Sequence, residues 1–176
     1  MAQSSQKEPP LPRVSLILGG ARSGKSAYAE GLIMAAAGGG VYLATAEARD
    51  AEMTERIAQH RKRRGNAWTT IESPRDIVRP LRESGRPILV DCLTLWLSNL
   101  LEADVPVTPA CDELANCLTE TPGPVILIAN EVGLGIVPDN ALARTFRDAA
   151  GRLNQQVAEH ADQVVFVAAG LPLKLK

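Results

Sequence analysis

Val14–Ser26 reads VSLILGGARSGKS, and the reading of this stretch decides the fold. Val14 to Leu18 form a mostly apolar run without alternation that ends on Gly19, and Gly19, Gly24, Lys25 and Ser26 fit the phosphate-loop pattern G-x-x-x-x-G-K-[ST]. Each residue type has a chemical reason. Glycines let backbone N–H groups curl around phosphate oxygens where a side chain would collide, the Lys25 ammonium reaches the outer phosphates, and the Ser26 hydroxyl can hold Mg2+. Tyr28, Leu32 and Ala35 or Ala36 then recur at helical spacing, so the loop feeds a helix N-terminus whose positive end favours an anion. Strand, loop and helix arrive in the order that phosphate binding needs, where a merely structural glycine turn would not need them.

Outward from this stretch, Gly38 to Gly40 stop the helix and Val41 to Ala46 (VYLATA) predict a second buried strand, completing a βαβ unit. Ala67 to Glu72 has the β-branched and aromatic make-up of a strand, Asp76 to Ser84 of a short helix, and Pro87 to Cys92 (PILVDC) of another buried strand. Leu93 to Leu101 and Asp112 to Leu118 predict helices. Pro124 to Ala129 (PVILIA) predicts a strand, and Pro138-Asp139 opens a long helix to Ala161. Val164 to Ala168 and Leu171 to Leu175 close the sheet. Apolar strands alternating with helices predict a doubly wound α/β domain over residues 14–176, behind a polar, proline-containing leader at residues 1–13.

Composition narrows the function. The chain has 176 residues, 45% hydrophobic and 22% charged, with a net charge of -1, which is the balance of a soluble globular domain large enough for a core of its own. A near-neutral charge argues against general nucleic-acid affinity, and 3% aromatics argue against a base-stacking surface. No apolar run reaches the length of a membrane span. Cys92, Cys111 and Cys117 are odd in number and lack C-x-x-C spacing, so they read as free thiols of a reducing compartment, the cytoplasm.

Two acids and two histidines are candidates for chemistry. Asp91 ends a predicted strand, the place of a Walker-B acid that binds Mg2+ directly or through water; a strand-end aspartate that caps the next helix is the competing reading. Glu131 follows the Pro124 to Ala129 strand and is a second candidate acid, since polar residues at the carboxyl ends of parallel strands face the ligand crevice. Within Asp50 to Arg64 (DAEMTERIAQHRKRR), Met53, Ile57 and His60 fall on one helical stripe. A histidine there packs at a core edge in the structural reading. The adjacent Arg61, Lys62, Arg63 and Arg64 support another, in which like-charge repulsion keeps the imidazole neutral as a nucleophile and the cations hold a polyphosphate. A solvated basic helix face explains the same cations, and spacing alone leaves these readings open. His160, in the last turn of the long helix, reads as a residue favoured there by the helix dipole.

Four blocks then carry a family resemblance: GGARSGKS at 19–26, LATAEARDAEMTERIAQH at 43–60, VDCLTLWLSNLL at 90–101 and NEVGLGIVPDNALARTFRDAAGRLNQ at 130–155. Together they resemble the bifunctional adenosylcobinamide kinase / adenosylcobinamide-phosphate guanylyltransferases of cobalamin synthesis, over essentially everything after the leader. The resemblance implies a RecA-like phosphate-loop NTPase domain with a mostly parallel central sheet flanked by helices. It also implies two reactions: phosphorylation of adenosylcobinamide from a nucleoside triphosphate, then transfer of GMP from GTP to adenosylcobinamide phosphate through a GMP-histidine intermediate. The family's nucleophilic histidine falls on His60. Gly19, Gly20, Ala21, Arg22, Ser23, Gly24, Lys25 and Ser26 match the phosphate cradle, with Lys25 acting in catalysis. Thr45, Ala46, Glu47, Arg61 to Arg64, Glu72 and Asp91 lie where the family places nucleotide contacts, with Ser26 and Asp91 toward Mg2+. Ala51 stands where relatives often have a second acid beside Asp50. The implied partners are GTP, with ATP possible for the kinase step, adenosylcobinamide and its phosphate, and two further copies of the chain in a homotrimer. A phosphate-loop small-molecule kinase without nucleotidyl transfer is the alternative function. A GTP-binding switch would need a base-reading N-K-x-D motif, which the sequence lacks.

Overall fold

The computed structural model describes residues 10–47, 55 and 65–176. Val14–Gly19 (β1) passes through the glycine-rich turn into Lys25–Ala37 (α1), and Gly40–Ala44 (β2) returns beside the sheet. Beyond the segment at 48–64, one 3-10 turn at Gly65–Ala67 leads into Trp68–Glu72 (β3), Val78–Glu83 (α2), Ile88–Asp91 (β4), Leu93–Glu102 (α3) and Val107–Thr119 (α4). Val125–Asn130 (β5), Ala141–His160 (α5), Gln163–Ala168 (β6) and Leu171–Lys174 (β7) complete the chain. The strands form one seven-stranded sheet in the order β3-β2-β4-β5-β1-β6-β7, parallel throughout except for the antiparallel edge strand β7.

Near-continuous apolar strands are explained by burial on both faces. Leu16, Leu43, Val90 and Leu127 belong to the core shared with α2 to α5, whereas Ile17, Tyr42, Leu89 and Ile128 belong to the core shared with α1. The alternation of side chains along each strand therefore divides one sheet into two apolar layers. It also fixes which polar residues meet above the sheet, because Asp91 shares its face with Leu89 and Tyr42.

Element boundaries differ from the sequence expectation where a side chain rather than hydropathy sets them. The fourth helix begins at Val107 instead of Asp112, because Pro109 falls in its first turn, where a missing N–H has no intrahelical partner to lose. The last helix starts at Ala141 rather than at Pro138-Asp139. Asn140 caps it, its Oδ1 accepting a hydrogen bond from the Ala143 N–H at 3.1 Å. The second strand ends at Ala44, two residues short of Ala46. At the start of the described body, Leu11 packs against the α1 core, and the Arg13 carbonyl accepts from the Val125 N–H at 2.8 Å.

Candidate active site at the carboxyl edge of the sheet

The loop between β1 and α1 has a conformation that only its glycines tolerate. Gly19 and Gly24 lie at φ +152° and +99°. A Cβ on Gly19 would meet the Val167 carbonyl oxygen at 2.3 Å, and one on Gly24 would meet Gly170 Cα at 3.2 Å. The turn between β6 and β7 braces the loop from outside, the Gly170 N–H donating to the Ser23 carbonyl at 2.8 Å. Gly20, Ala21 and Arg22 stand exposed at the crest, with Arg22 itself at φ +56°. Helix α1 receives no side-chain cap at Gly24, so its first-turn N–H groups are left for an oxyanion, as the sequence pattern predicts.

The side chains of the loop converge. Lys25 is 7% exposed, and its ammonium donates to the Gly20 carbonyl at 2.6 Å. The Ser23 hydroxyl is buried without a protein partner, an orphaned polar atom that a phosphate oxygen would satisfy. Ser26 Oγ donates to Asp91 Oδ2 at 3.0 Å, and the Tyr42 hydroxyl donates to the same oxygen at 2.5 Å. Asp91 therefore faces the phosphate loop across β5. It does not cap α3, whose N-cap is Cys92 and which has no side-chain cap. A serine hydroxyl beside a carboxylate is an all-oxygen donor pair of the hard kind that suits Mg2+. Glu131, the other acid, folds back on its own loop, its Oε1 accepting from the Gly133 N–H at 2.6 Å.

The remaining predicted contacts spread along the same edge. Thr45 is fully buried where β2 ends, and its hydroxyl accepts from the Cys92 N–H at 2.7 Å while donating to the Cys92 carbonyl at 2.9 Å. Ala46 and Glu47 follow it outward, and Glu47 pairs with Arg75 at 3.7 Å. Glu72 is exposed at the end of the edge strand β3. Four strand spacings separate β3 from β1, so Glu72 lies roughly 19 Å along the sheet from the loop, at the far end of the edge. His60 and Arg61 to Arg64 lie outside the described residues. His160 closes α5, where its Nδ1 donates to the Gln156 carbonyl at 2.9 Å. Since α5 leads into the start of the parallel strand β6, His160 sits at the amino edge of the sheet, opposite the loop.

Tyr42 was not among the sequence candidates. Its signal was available, because a tyrosine in a buried strand requires a partner for its hydroxyl. Asn99, a buried residue of α3 whose amide donates to Thr45 and Pro74 carbonyls at 2.8 and 2.9 Å, was also not among them and carries no local motif.

Comparisons with known proteins agree with this geometry. Residues 15–175 match the family model described as cobinamide kinase / cobinamide phosphate guanyltransferase. The chain is 51% identical over 166 residues to the bifunctional adenosylcobalamin biosynthesis protein CobP of Pseudomonas aeruginosa, covering 92% of this chain and 96% of that one. It is 41% identical over 180 residues to the bifunctional adenosylcobalamin biosynthesis protein CobU of Salmonella typhimurium, covering 92% and 98%. Among solved structures, the flagellar accessory protein FlaH of Methanocaldococcus jannaschii superposes with a TM-score of 0.53 at 14% identity, covering 95% of this chain and 79% of that one, a likeness of fold alone. A phosphate-loop NTPase fold, a hydroxyl and carboxylate pair at its cradle and a family match over nearly the whole chain thus place this protein in the cobinamide kinase / cobinamide phosphate guanyltransferase family, bifunctional enzymes of adenosylcobalamin biosynthesis.

Proposed function

We propose that the guanylyl-transfer half of this activity runs through a GMP-histidine intermediate on His60, with the triphosphate held by Gly19 to Ser26. The observation that carries the reading is the convergence of Lys25, Ser26 and Asp91 at the carboxyl edge, with His160 on the opposite edge. The chain has two histidines, so a histidine nucleophile for this cradle is His60.

His60 Nε2 or Nδ1 attacks the α-phosphorus of GTP, a P–N bond forms, and the bond to the departing pyrophosphate breaks. Lys25 and the cations Arg61 to Arg64 offset the charge on the leaving group. Mg2+, held by Ser26 and Asp91, would supply charge neutralisation on the phosphate oxygens. A phosphate oxygen of adenosylcobinamide phosphate then attacks phosphorus, the P–N bond breaks, and the imidazole is restored. In the kinase half the cobinamide hydroxyl oxygen attacks the γ-phosphorus of GTP or ATP, the β,γ P–O bond breaks, and GDP or ADP leaves with the hydroxyl proton released to solvent. Thr45 to Glu47 and Glu72 line the edge along which the rest of the nucleotide lies.

The assembly proposed is a cytoplasmic homotrimer. Leu134, Ile136, Val137 and Leu142 are 81%, 98%, 58% and 68% exposed on one stretch after β5, an apolar patch that subunit contact would cover. The three cysteines are buried and free, which suits a reducing compartment. No helix among the described residues is long and apolar enough to cross a membrane. Light scattering on a sizing column reads a mass three times the chain's 18.8 kDa if the trimer is right.

Separate assays of the two half-reactions test the nucleophile. His60→Ala is expected to abolish adenosylcobinamide-GDP formation while leaving phosphorylation of adenosylcobinamide within about threefold of the wild type. Full guanylyl transfer by the variant would remove His60 from the mechanism, and a phosphate-loop kinase with a second, histidine-independent activity would replace it.

A further inference from the structure

Between the strand that feeds the phosphate loop and the strand that ends in Asp91 lies β5, and its last residue is Asn130. Register sets Asn130 opposite Gly19 of β1 on one side, and sets Ile128 opposite Asp91 of β4 on the other. Asn130 therefore stands one pleat beyond Asp91, with the two Cα atoms roughly 8 Å apart by strand spacing and rise. Ile126 and Ile128 belong to the core shared with α1, and alternation carries the Asn130 side chain to that same face, where Asp91 meets Ser26. Its backbone is pinned from both neighbouring strands. The Asn130 N–H donates to Thr94 Oγ1 at 2.7 Å, from a buried residue in the first turn after β4, and the Glu131 N–H donates to the Gly19 carbonyl at 3.1 Å. The carboxamide itself is half-buried and hydrogen-bonds to no group among the described residues. An asparagine kept for the turn would bond its own backbone two residues on, yet the N–H groups that follow go elsewhere, Glu131 to Gly19 and Gly133 to the Glu131 carboxylate. A fixed backbone with a side chain left out of the fold's own bonding is the arrangement of a ligand contact.

We propose that Asn130 is a contact to the terminal phosphate of the bound nucleoside triphosphate, its carboxamide N–H donating to a γ-phosphate oxygen. This rests on the triphosphate lying in the cradle of Gly19 to Ser26. In such a cradle the loop N–H groups take the inner phosphates, while Lys25 and the Ser26 and Asp91 pair lie toward the β- and γ-phosphates. β5 runs between the strands that carry these groups, so the terminal phosphate stands over its carboxyl end, and Asn130 is the side chain which that end presents on this face. An amide suits the place because it supplies a donor with no charge of its own. A carboxylate there would repel the phosphate, and the next residue, Glu131, is turned away onto the Gly133 N–H. In the kinase reaction the bond serves the group being transferred; in guanylyl transfer it serves the departing pyrophosphate. A nucleoside diphosphate has no group at that place, so Asn130 lets the site tell a triphosphate from a diphosphate.

The test is calorimetric titration of the full chain, with Mg2+ present, by α,β-methylene GTP and α,β-methylene GDP, whose methylene bridge blocks nucleotidyl transfer to the protein. Asn130→Ala is expected to weaken the triphosphate about 10-fold or more and the diphosphate less than about twofold. Asn130→Asp, which sets a negative charge against the phosphate, is expected to weaken the triphosphate further still and to spare the diphosphate equally. Urea titration is expected to give the wild-type midpoint for Asn130→Ala, because no hydrogen bond of the fold is lost. Asn130→Ser, with a donor on a shorter side chain, shows the same selectivity to a smaller degree and serves if the other variants do not fold. Equal weakening of both nucleotides, or unchanged affinity for the triphosphate, overturns the proposal. Lys25→Ala separates this outcome from a failure of the cradle, since it is expected to weaken both nucleotides. If Lys25→Ala leaves both affinities as they are, the nucleotide lies elsewhere and the proposal falls with the cradle. If Lys25→Ala weakens both while Asn130→Ala spares the triphosphate, the cradle stands and the Asn130 contact alone falls.

Discussion

Two parts of one sheet edge do their holding in opposite ways. The phosphate loop is built from backbone: Gly19 and Gly24 adopt positive φ, the β6–β7 turn presses close, and the ligand-facing groups are N–H donors, the Lys25 ammonium and the Ser26 hydroxyl. The β2–β4 rim is held by side chains, with Thr45 bonded to Cys92 across 47 residues and Asn99 bonded to Thr45 across 54. The difference teaches where sequence and structure carry their information. A loop that no side chain can replace leaves a local signature; a clasp made by distant partners leaves none.

The sharpest way to break this contrast is to remove the charge from the loop. Lys25→Ala is expected to lower kcat/KM about 100-fold or more in both half-reactions, measured side by side, because its buried ammonium serves the phosphates rather than one bond. A defect confined to one reaction would mean that the two halves do not share the cradle. Next in size is the carboxylate where loop and rim meet. Asp91→Asn keeps the shape but removes the charge, and is expected to raise the Mg2+ concentration for half-maximal rate about 10- to 100-fold. Tyr42→Phe, which loses the hydrogen bond to Asp91 and keeps the ring packed against Trp68, is expected to change it by only a few-fold.

The steric claim for the loop is tested by stability. Gly24→Ala places a Cβ at φ +99° and 3.2 Å from Gly170 Cα, and is expected to destabilise the fold by about 1–3 kcal/mol in urea titration. Gly31→Ala, on α1 with no heavy atom within 4 Å of the added carbon, is expected to stabilise it by about 0.5–1 kcal/mol. The smallest effect belongs to the rim and the core behind it. Burial pushes the Cys92 and Cys111 thiols from 9.0 up to about 11, with the neighbouring Asp91 and Asp112 adding to it. The unfolded chain releases these protons first, so stability present below pH 9 falls as pH rises from about 9 to about 11. Thermal melts across that window should show a shallower fall for Cys92→Ala than for the wild type.

How much was legible follows the same division. The βαβ start, the buried strands and the strand-end acid were readable, because apolar runs bounded by glycine and proline report burial on both faces of a parallel sheet. The choice between Asp91 and Glu131 was not. Asp91 ends one buried strand and Glu131 follows another, and only the structure, with Ser26 and Tyr42 reaching the same Asp91 oxygen and Glu131 folded onto its own loop, tells them apart. Helix starts at Val107 and Ala141 were displaced in the sequence reading because hydrophobic spacing fades in the first turn, where Pro109 and the Asn140 cap do the work. The antiparallel direction of β7, whose residues are all exposed, had no hydropathy signal to mark it. His60 was singled out by its neighbours in sequence and by family resemblance, and it lies outside the described residues.

The measurement that bears most directly on the account is transfer of label from α-labelled GTP to the protein, followed by peptide mapping and a chase with adenosylcobinamide phosphate. The label is expected on the peptide containing His60, acid-labile, and discharged into adenosylcobinamide-GDP by the chase. Label on His160, or guanylyl transfer at full rate with no labelled protein at any time, would contradict it.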